Sequence, residues 1–228
     1  MNFGNVVVRG LACGAVVSTL GACTGSPDSP SGLTAQAPAM QTSERLPGSI
    51  SWRSPDMDPT RYDRFTIAPV KIYEGADASY GSATQADKQA MASYMQQEFS
   101  RVLGERFSGS NTPGAKAARL ELTLAGLSDN IPVASTAASI APVGLVRNIV
   151  SGGQSPIFTA TVTYKGEVYD TQTGKLLAAF VTTKTPSALD LGATIDSRTA
   201  QQAAITEGAR DTRGAIESAQ MAAARPAR

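Results

Sequence analysis

The chain has 228 residues, with 20 Lys+Arg against 19 Asp+Glu, no histidine, and two cysteines, Cys13 and Cys23. Without histidine no Ser-His-Asp or Cys-His nucleophile system can be built, and the usual zinc, copper and non-haem iron sites lose their imidazole ligands. Arg9 is the one charge before Cys23, so residues 23–228 balance at 19 against 19 and lack the basic excess that nucleic-acid binding needs.

Leu11 to Leu20 (LACGAVVSTL) is an uncharged run of ten residues behind Arg9. That length suits the core of an export signal and falls far short of the roughly 20 apolar residues that span a bilayer. The run ends in Leu20-Gly21-Ala22-Cys23. Here the chain resembles bacterial prolipoproteins, whose processing box places Leu three residues before the cysteine with small residues between. A peptidase has to close around that backbone, which is why the intervening residues are small. The same box at Cys13 has Gly10 where Leu is wanted, and the A-x-A site at Ala35-Gln36-Ala37 lies fifteen residues beyond Leu20.

The resemblance implies a signal peptide over 1–22 and a mature protein beginning at Cys23. The Cys23 sulfur would carry a diacylglyceryl thioether, with palmitate-type chains joining it to the membrane. Two or more acyl chains anchor stably, since each buried methylene contributes about 0.8 kcal/mol. Many Gram-negative lipoproteins kept at the inner membrane have Asp after the cysteine. Thr24 stands there instead, which implies the outer membrane and its periplasmic face.

Residues 24–48 (TGSPDSPSGLTAQAPAMQTSERLPG) are rich in Ser, Pro, Gly and Thr. Such a stretch buries too little apolar surface to offset its ordering entropy, so 23–48 reads as a lipidated tether ahead of one domain over 49–224. Arg64 to Tyr73 (RFTIAPVKIY) reads as the first strand, with a change of face across Pro69. Thr84 and Asp87 are spaced as a capping box, and Met91, Met95, Phe99, Val102 and Leu103 follow at helical steps. Arg119 to Leu127 alternates, with Leu120, Leu122 and Leu124 inward and Arg119, Glu121 and Thr123 outward. Ile157–Tyr169 and Lys175–Lys184 read as two strands joined by the turn Asp170-Thr-Gln-Thr-Gly174. Ser197 to about Ala223 reads as a helix with a weak apolar stripe, Ile205, Ile216 and Met221 being its large apolar residues. The expected fold is α+β: an antiparallel sheet of about four strands with two main helices on one face.

Asn130 to Ser155 is the least ordinary stretch, with one charge, Arg147, in 26 residues and prolines at 132 and 142. Two readings stand. One is a short core helix over Val143–Val150, and the other is a flap whose Leu145 and Ile149 dock a partner, an acyl chain or the membrane surface.

Several segments also resemble a bacterial lipoprotein family catalogued as domain of unknown function 3313. They are Tyr62-Asp63 before the first strand, Leu120–Leu124 running to Ser128-Asp129, Glu167-Val-Tyr-Asp170-Thr-Gln-Thr-Gly174-Lys-Leu-Leu-Ala-Ala, and Asp190-Leu-Gly-Ala-Thr. The likeness covers roughly residues 50–220 and implies a place and a fold, with no activity.

Asp56 and Asp58 (PDMDP) lack the further carboxylates and the glycine of a calcium loop and read as a solvated turn. Glu121, Glu167, Asp170, Asp190 and Asp196 are the carboxylates available to an acid/base pair. Tyr62, Tyr73, Tyr80 and Tyr164 read as sheet packing. The expected function is a non-catalytic binding or assembly module of the cell envelope. Its partners would be the membrane, through Cys23, and another envelope protein, with no cofactor, metal or nucleic acid. The alternatives are a carboxylate-dependent cell-wall hydrolase, or a lipid carrier using the 130–155 loop.

Overall fold

The helical spacing from Met91 to Leu103 becomes α1 (Gln85–Gly104), whose buried side is Met91, Ala92, Met95, Phe99, Val102 and Leu103. Its start is the expected capping box. Thr84 accepts from the Asp87 amide at 3.2 Å, and the Asp87 carboxylate accepts from the Thr84 amide at 3.0 Å. Burying five large side chains at about 1.5–3 kcal/mol each makes this helix a main contributor to stability.

The computed structural model describes Leu33, 38–109, 116–132, 158–186 and 197–225, with 129–132 and 158–159 described by backbone alone. The strands are β1 (Gln41–Thr42), β2 (Ser49–Arg53), β3 (Tyr62–Ile67), β4 (Lys71–Ile72), β5 (Lys116–Pro132), β6 (Phe158–Asp170) and β7 (Leu176–Lys184), and α2 spans Ser197–Ala224. They form one seven-stranded sheet in the order β1-β2-β7-β6-β5-β3, with β4 also on β5.

The α+β class and the two helices on one face are as expected, but the sheet is mixed and larger. β3 and β4 pair with β5 in parallel, while the remaining pairs are antiparallel. Parallel pairing follows from the connection: α1 carries the chain back across the sheet between β4 and β5. β1 and β2 are the other additions. They add a short edge to β7, and Leu46 between them is 8 % exposed. Both β1 and Leu46 fall within the stretch read as tether.

Pro69 breaks the first strand as its sequence suggests. Ile67 lies opposite Leu120 and Ile72 opposite Leu124, so both flanks of the break face the helices. A proline is tolerated there because this is the edge of the sheet. A bulge between Leu124 and Gly126 in β5 does the same for Leu127, which with Leu120, Leu122 and Leu124 is at most 2 % exposed.

The helices meet the sheet at Tyr164, which is 0 % exposed. Its ring stands edge-on to Phe99 of α1 at 5.8 Å and to Phe180 of β7 at 6.1 Å. Its hydroxyl points at Gly208 of α2, where a Cβ would lie 2.2 Å from the oxygen. That helix accordingly buries Ala200, Gln201, Ala204, Ile205, Gly208, Ala209 and Thr212, a stripe with one large apolar residue. The weak stripe is a requirement of close packing: larger residues would hold α2 off the phenol.

Phe99→Ala should lower unfolding free energy by about 3–5 kcal/mol in urea, while Met221→Ala should stay within about 0.5 kcal/mol. Met221 is 61 % exposed, so equal effects would contradict this placement of the core.

Candidate functional site

Alternation along a strand puts every second residue on the face away from α1 and α2. Among the described residues no helix packs on that face. Glu121 of β5 and Glu167 of β6 are direct cross-strand partners there. Like charges in that position repel unless neutralised, and each carboxylate is neutralised. Glu121 takes Lys71 at 2.8 Å and Arg119 at 2.9 Å, and Glu167 takes Lys165 at 2.9 Å. The Arg119 guanidinium also lies over the Tyr169 ring at 5.5 Å. Trp52 of β2 stands opposite Ala179, in the same cross-strand row as Glu167 and Glu121.

The exposures give this cluster a direction. The Glu121 and Glu167 side chains are 18 % and 15 % exposed, whereas Lys71 and Arg119 are 66 % and 44 % exposed. Lys71 and Arg119 stand above the sunk Glu121 and are the positive groups this part of the face offers, whereas Lys165 is as sunk as Glu167, at 10 % exposed.

This arrangement does not suit general acid catalysis. A carboxylic acid that donates a proton near neutral pH needs its pKa raised. The Lys71 hydrogen bond and charge, with Arg119 behind, instead hold the Glu121 carboxyl below its ordinary value despite partial burial.

Asp170 lies apart, on the helix side at the end of β6, and is 3 % exposed. It accepts from the Thr173 and Gln172 amides, both at 2.9 Å, from the Tyr62 hydroxyl at 2.9 Å and from Lys116 at 3.2 Å. The Thr173 amide first, then Tyr62, Lys116 and Gln172, hold the Asp170 carboxyl well below the usual carboxylate range against its burial. Burial and the Asp170 partner push the Tyr62 phenol up to about 12. Gly174 closes the turn at φ 68°. The D-x-x-T-G signature is thus a structural knot that joins the β6–β7 turn to the starts of β3 and β5.

The other candidates separate cleanly. Asp58 caps a short 3-10 turn, Pro59–Arg61, by accepting from the Thr60 amide at 3.0 Å, and Asp56 meets Lys175 at 2.7 Å. Both belong to turns, as read. Tyr80 donates to the backbone oxygens of Leu124 and Tyr73 at 2.7 and 2.9 Å, and Tyr73 donates to Asp77 at 2.6 Å. Cys23, Leu145, Ile149, Asp190 and Asp196 lie outside the described residues. Lys71, Lys165, Tyr169 and Trp52 were not singled out by the sequence. The odd-numbered alternation of Lys165, Glu167 and Tyr169 is the signal that would have found two of them, Lys165 and Tyr169.

The fold and this face together define an α+β domain with one helix-covered and one charge-lined sheet face. The chain belongs to the family described as protein of unknown function DUF3313, whose model matches residues 29–212. No curated protein matches the chain. Among solved structures, the PelC dodecamer from Paraburkholderia phytofirmans is similar at a TM-score of 0.36 and 12 % identity, over 72 % of this chain and 96 % of that one. A candidate lipoprotein from Caulobacter crescentus CB15 gives 0.34 and 14 %, over 71 % and 93 %. A Xanthomonas campestris protein of the DUF330 family gives 0.36 and 12 %, over 72 % and 92 %.

The knot at Asp170 has a pH signature. Its folded pKa lies below the unfolded value of 3.8, so its contribution is complete above about pH 4 and fades as pH falls further. Asp170→Asn should cost about 1–3 kcal/mol at pH 7 and flatten the loss of stability between pH 4 and 2. An unchanged acid limb in denaturant titrations would remove Asp170 from this role.

Proposed function

We propose that this protein is a non-catalytic binding or assembly module of the cell envelope, held by a lipid on Cys23 at the periplasmic face of the outer membrane. The observation that carries the binding role is the sheet face that no helix of the described residues covers, where the sunk Glu121 carboxylate holds Lys71 and Arg119 outward. Raised cations of fixed position suit an acidic surface on another envelope protein, because opposite potentials steer encounter and set register. They suit a bilayer less well, since a membrane surface attracts at about 1 kcal/mol per cation and stable electrostatic binding needs a larger cluster.

The anchor reading rests on Leu20-Gly21-Ala22-Cys23 behind the uncharged Leu11–Leu20 run. A tether between anchor and domain raises the effective concentration of any partner in the same envelope layer. Leu145 and Ile149 are proposed as a second contact. The strands that flank their segment support it: Ser128–Pro132 and Phe158–Thr161 continue to pair with each other beyond Lys184, the last β7 residue to meet β6.

Two measurements test this. Palmitate labelling should vanish in Cys23→Ser, and labelling equal to wild type would end the lipoprotein reading. A photoreactive residue in place of the exposed Thr66, which lies opposite Arg119, should capture one defined envelope protein in cells. Charge reversal by Lys71→Glu with Arg119→Glu should cut that capture by about tenfold or more, in line with the loss of close charge pairs at an interface. The same reversal at Arg101 on α1 should not change it. Capture that is indifferent to both reversals would remove the charged face from partner binding.

A further inference from the structure

We infer that α2 is a strap that opens from the sheet as a unit while the sheet and α1 remain folded. Three independent observations converge on it.

The first is the imbalance between the two helices. α1 buries Met91, Met95, Phe99, Val102 and Leu103, whereas α2 buries Ile205 and packs Ile216 partly against the core, among small and polar residues. Apolar burial holds a helix in proportion to the area removed from water, so α2 is the less firmly held.

The second is what lies beneath the stripe. The Thr182 Oγ1 is buried with no hydrogen-bond partner among the described residues, and the buried Tyr164 hydroxyl has beside it the Thr212 side chain of α2, in a geometry that falls short of a hydrogen bond. The two residues are direct cross-strand partners on β6 and β7, on the helix side of the sheet. The Thr212 hydroxyl of α2 donates at 2.8 Å to Gly208 O, within its own helix. Closed, α2 keeps both hydroxyls from water; open, it lets them be solvated. An unsatisfied buried polar group favours the state in which it is hydrated.

The third is how α2 is fastened. Its fastenings are polar and spread along its length. Arg198 meets Asp87 at 2.8 Å, and Gln201 donates to Ser128 O at 3.0 Å. The Tyr94 and Thr206 hydroxyls pair at 3.0 Å, and Asp211 pairs with Lys184 of β7. Arg213 meets Glu105 at 2.6 Å, and Gln220 donates to the Tyr62 and Pro59 carbonyls at 2.8 and 3.2 Å. Bonds of this kind are replaced by water when the helix lifts, unlike the packing that holds α1. The fastenings break together because one rigid helix carries them all, which makes the opening cooperative.

Opening would bare Tyr164 and its neighbours and leave the charged face untouched, since alternate residues of β6 point to opposite sides. The strap is therefore separate from the partner surface proposed above.

The test is hydrogen–deuterium exchange with mass spectrometry on the full lipidated chain in detergent, under native conditions. Amides of 197–224 should exchange about 100-fold or more faster than those of α1 and the centres of β5, β6 and β7, as expected of a sub-global opening unit. Gly208→Ala places a methyl against the Tyr164 oxygen and should speed exchange in α2 by about a further tenfold, with α1 and the sheet unchanged. Tyr164→Phe should slow exchange in α2, and combined with Gly208→Ala should restore the wild-type rate. Should Gly208→Ala fail to fold, Asp211→Asn weakens the Lys184 fastening without adding volume and should speed α2 alone. Equal exchange in α1 and α2, or acceleration of all elements together, would overturn the proposal. So would faster exchange in α2 after Tyr164→Phe, because the hydroxyl would then be a fastening.

Discussion

The packing of Tyr164 between two helices and two strands is the constraint on which the rest of the molecule depends. A phenol ring in the middle of β6 reaches far out of the sheet, and both helices have to accommodate it. α1 does so with Phe99 edge-on, and β7 with Phe180, whose ring lies over Gly166 where a Cβ would come within 2.3 Å of it. α2 has no room for a side chain at position 208 and presents glycine. From this one ring follow the small-residue stripe of α2, the glycine in β6, and the dependence of α2 on polar fastenings.

The period of two along β5 and β6 then divides the labour of the sheet. Even positions such as Leu120, Leu122, Val162 and Tyr164 fill the core, while odd positions carry Arg119, Glu121, Lys165 and Glu167. The bulge before Gly126 shows how firmly the core controls register. One extra residue keeps Leu127 inside, where strict alternation would have turned it out. A slip by one residue elsewhere would bury four charges and expose the leucines, so the charged face is held in place by the core behind it.

Much of this was legible in the sequence. α1, its capping box and its buried side could be read because helical spacing, cap and breaker agree there. The β6–β7 hairpin could be read because Asp170 and Gly174 are spaced for one turn. Strand direction could not, since alternation reports which face a residue takes and is silent on whether neighbours run parallel. β1 and β2 were hard to see because their burial is slight: Gln41 and Thr42 are exposed, and Ser49–Arg53 is mostly half-buried. The meeting of Glu121 with Glu167 was beyond reach for another reason. No short turn joins β5 to β6, so their register comes from core packing rather than from local sequence.

The two sides of the sheet also differ in what they ask of the fold. A partner-binding face works best when its charges are preorganised, because ordering flexible cations on binding would consume affinity. Glu121 and Glu167 supply that order by holding Lys71, Arg119 and Lys165 in the free protein. The central strands beneath them are hydrogen-bonded on both sides, which resists distortion. α2 touches the same strands from the opposite side through small contacts and water-replaceable bonds. A movement of α2 therefore has little leverage on the charged face: each strand keeps its ladder whether or not the helix is seated. On the proposed roles, the most rigid layer lies under the partner face and the mobility on the side away from it.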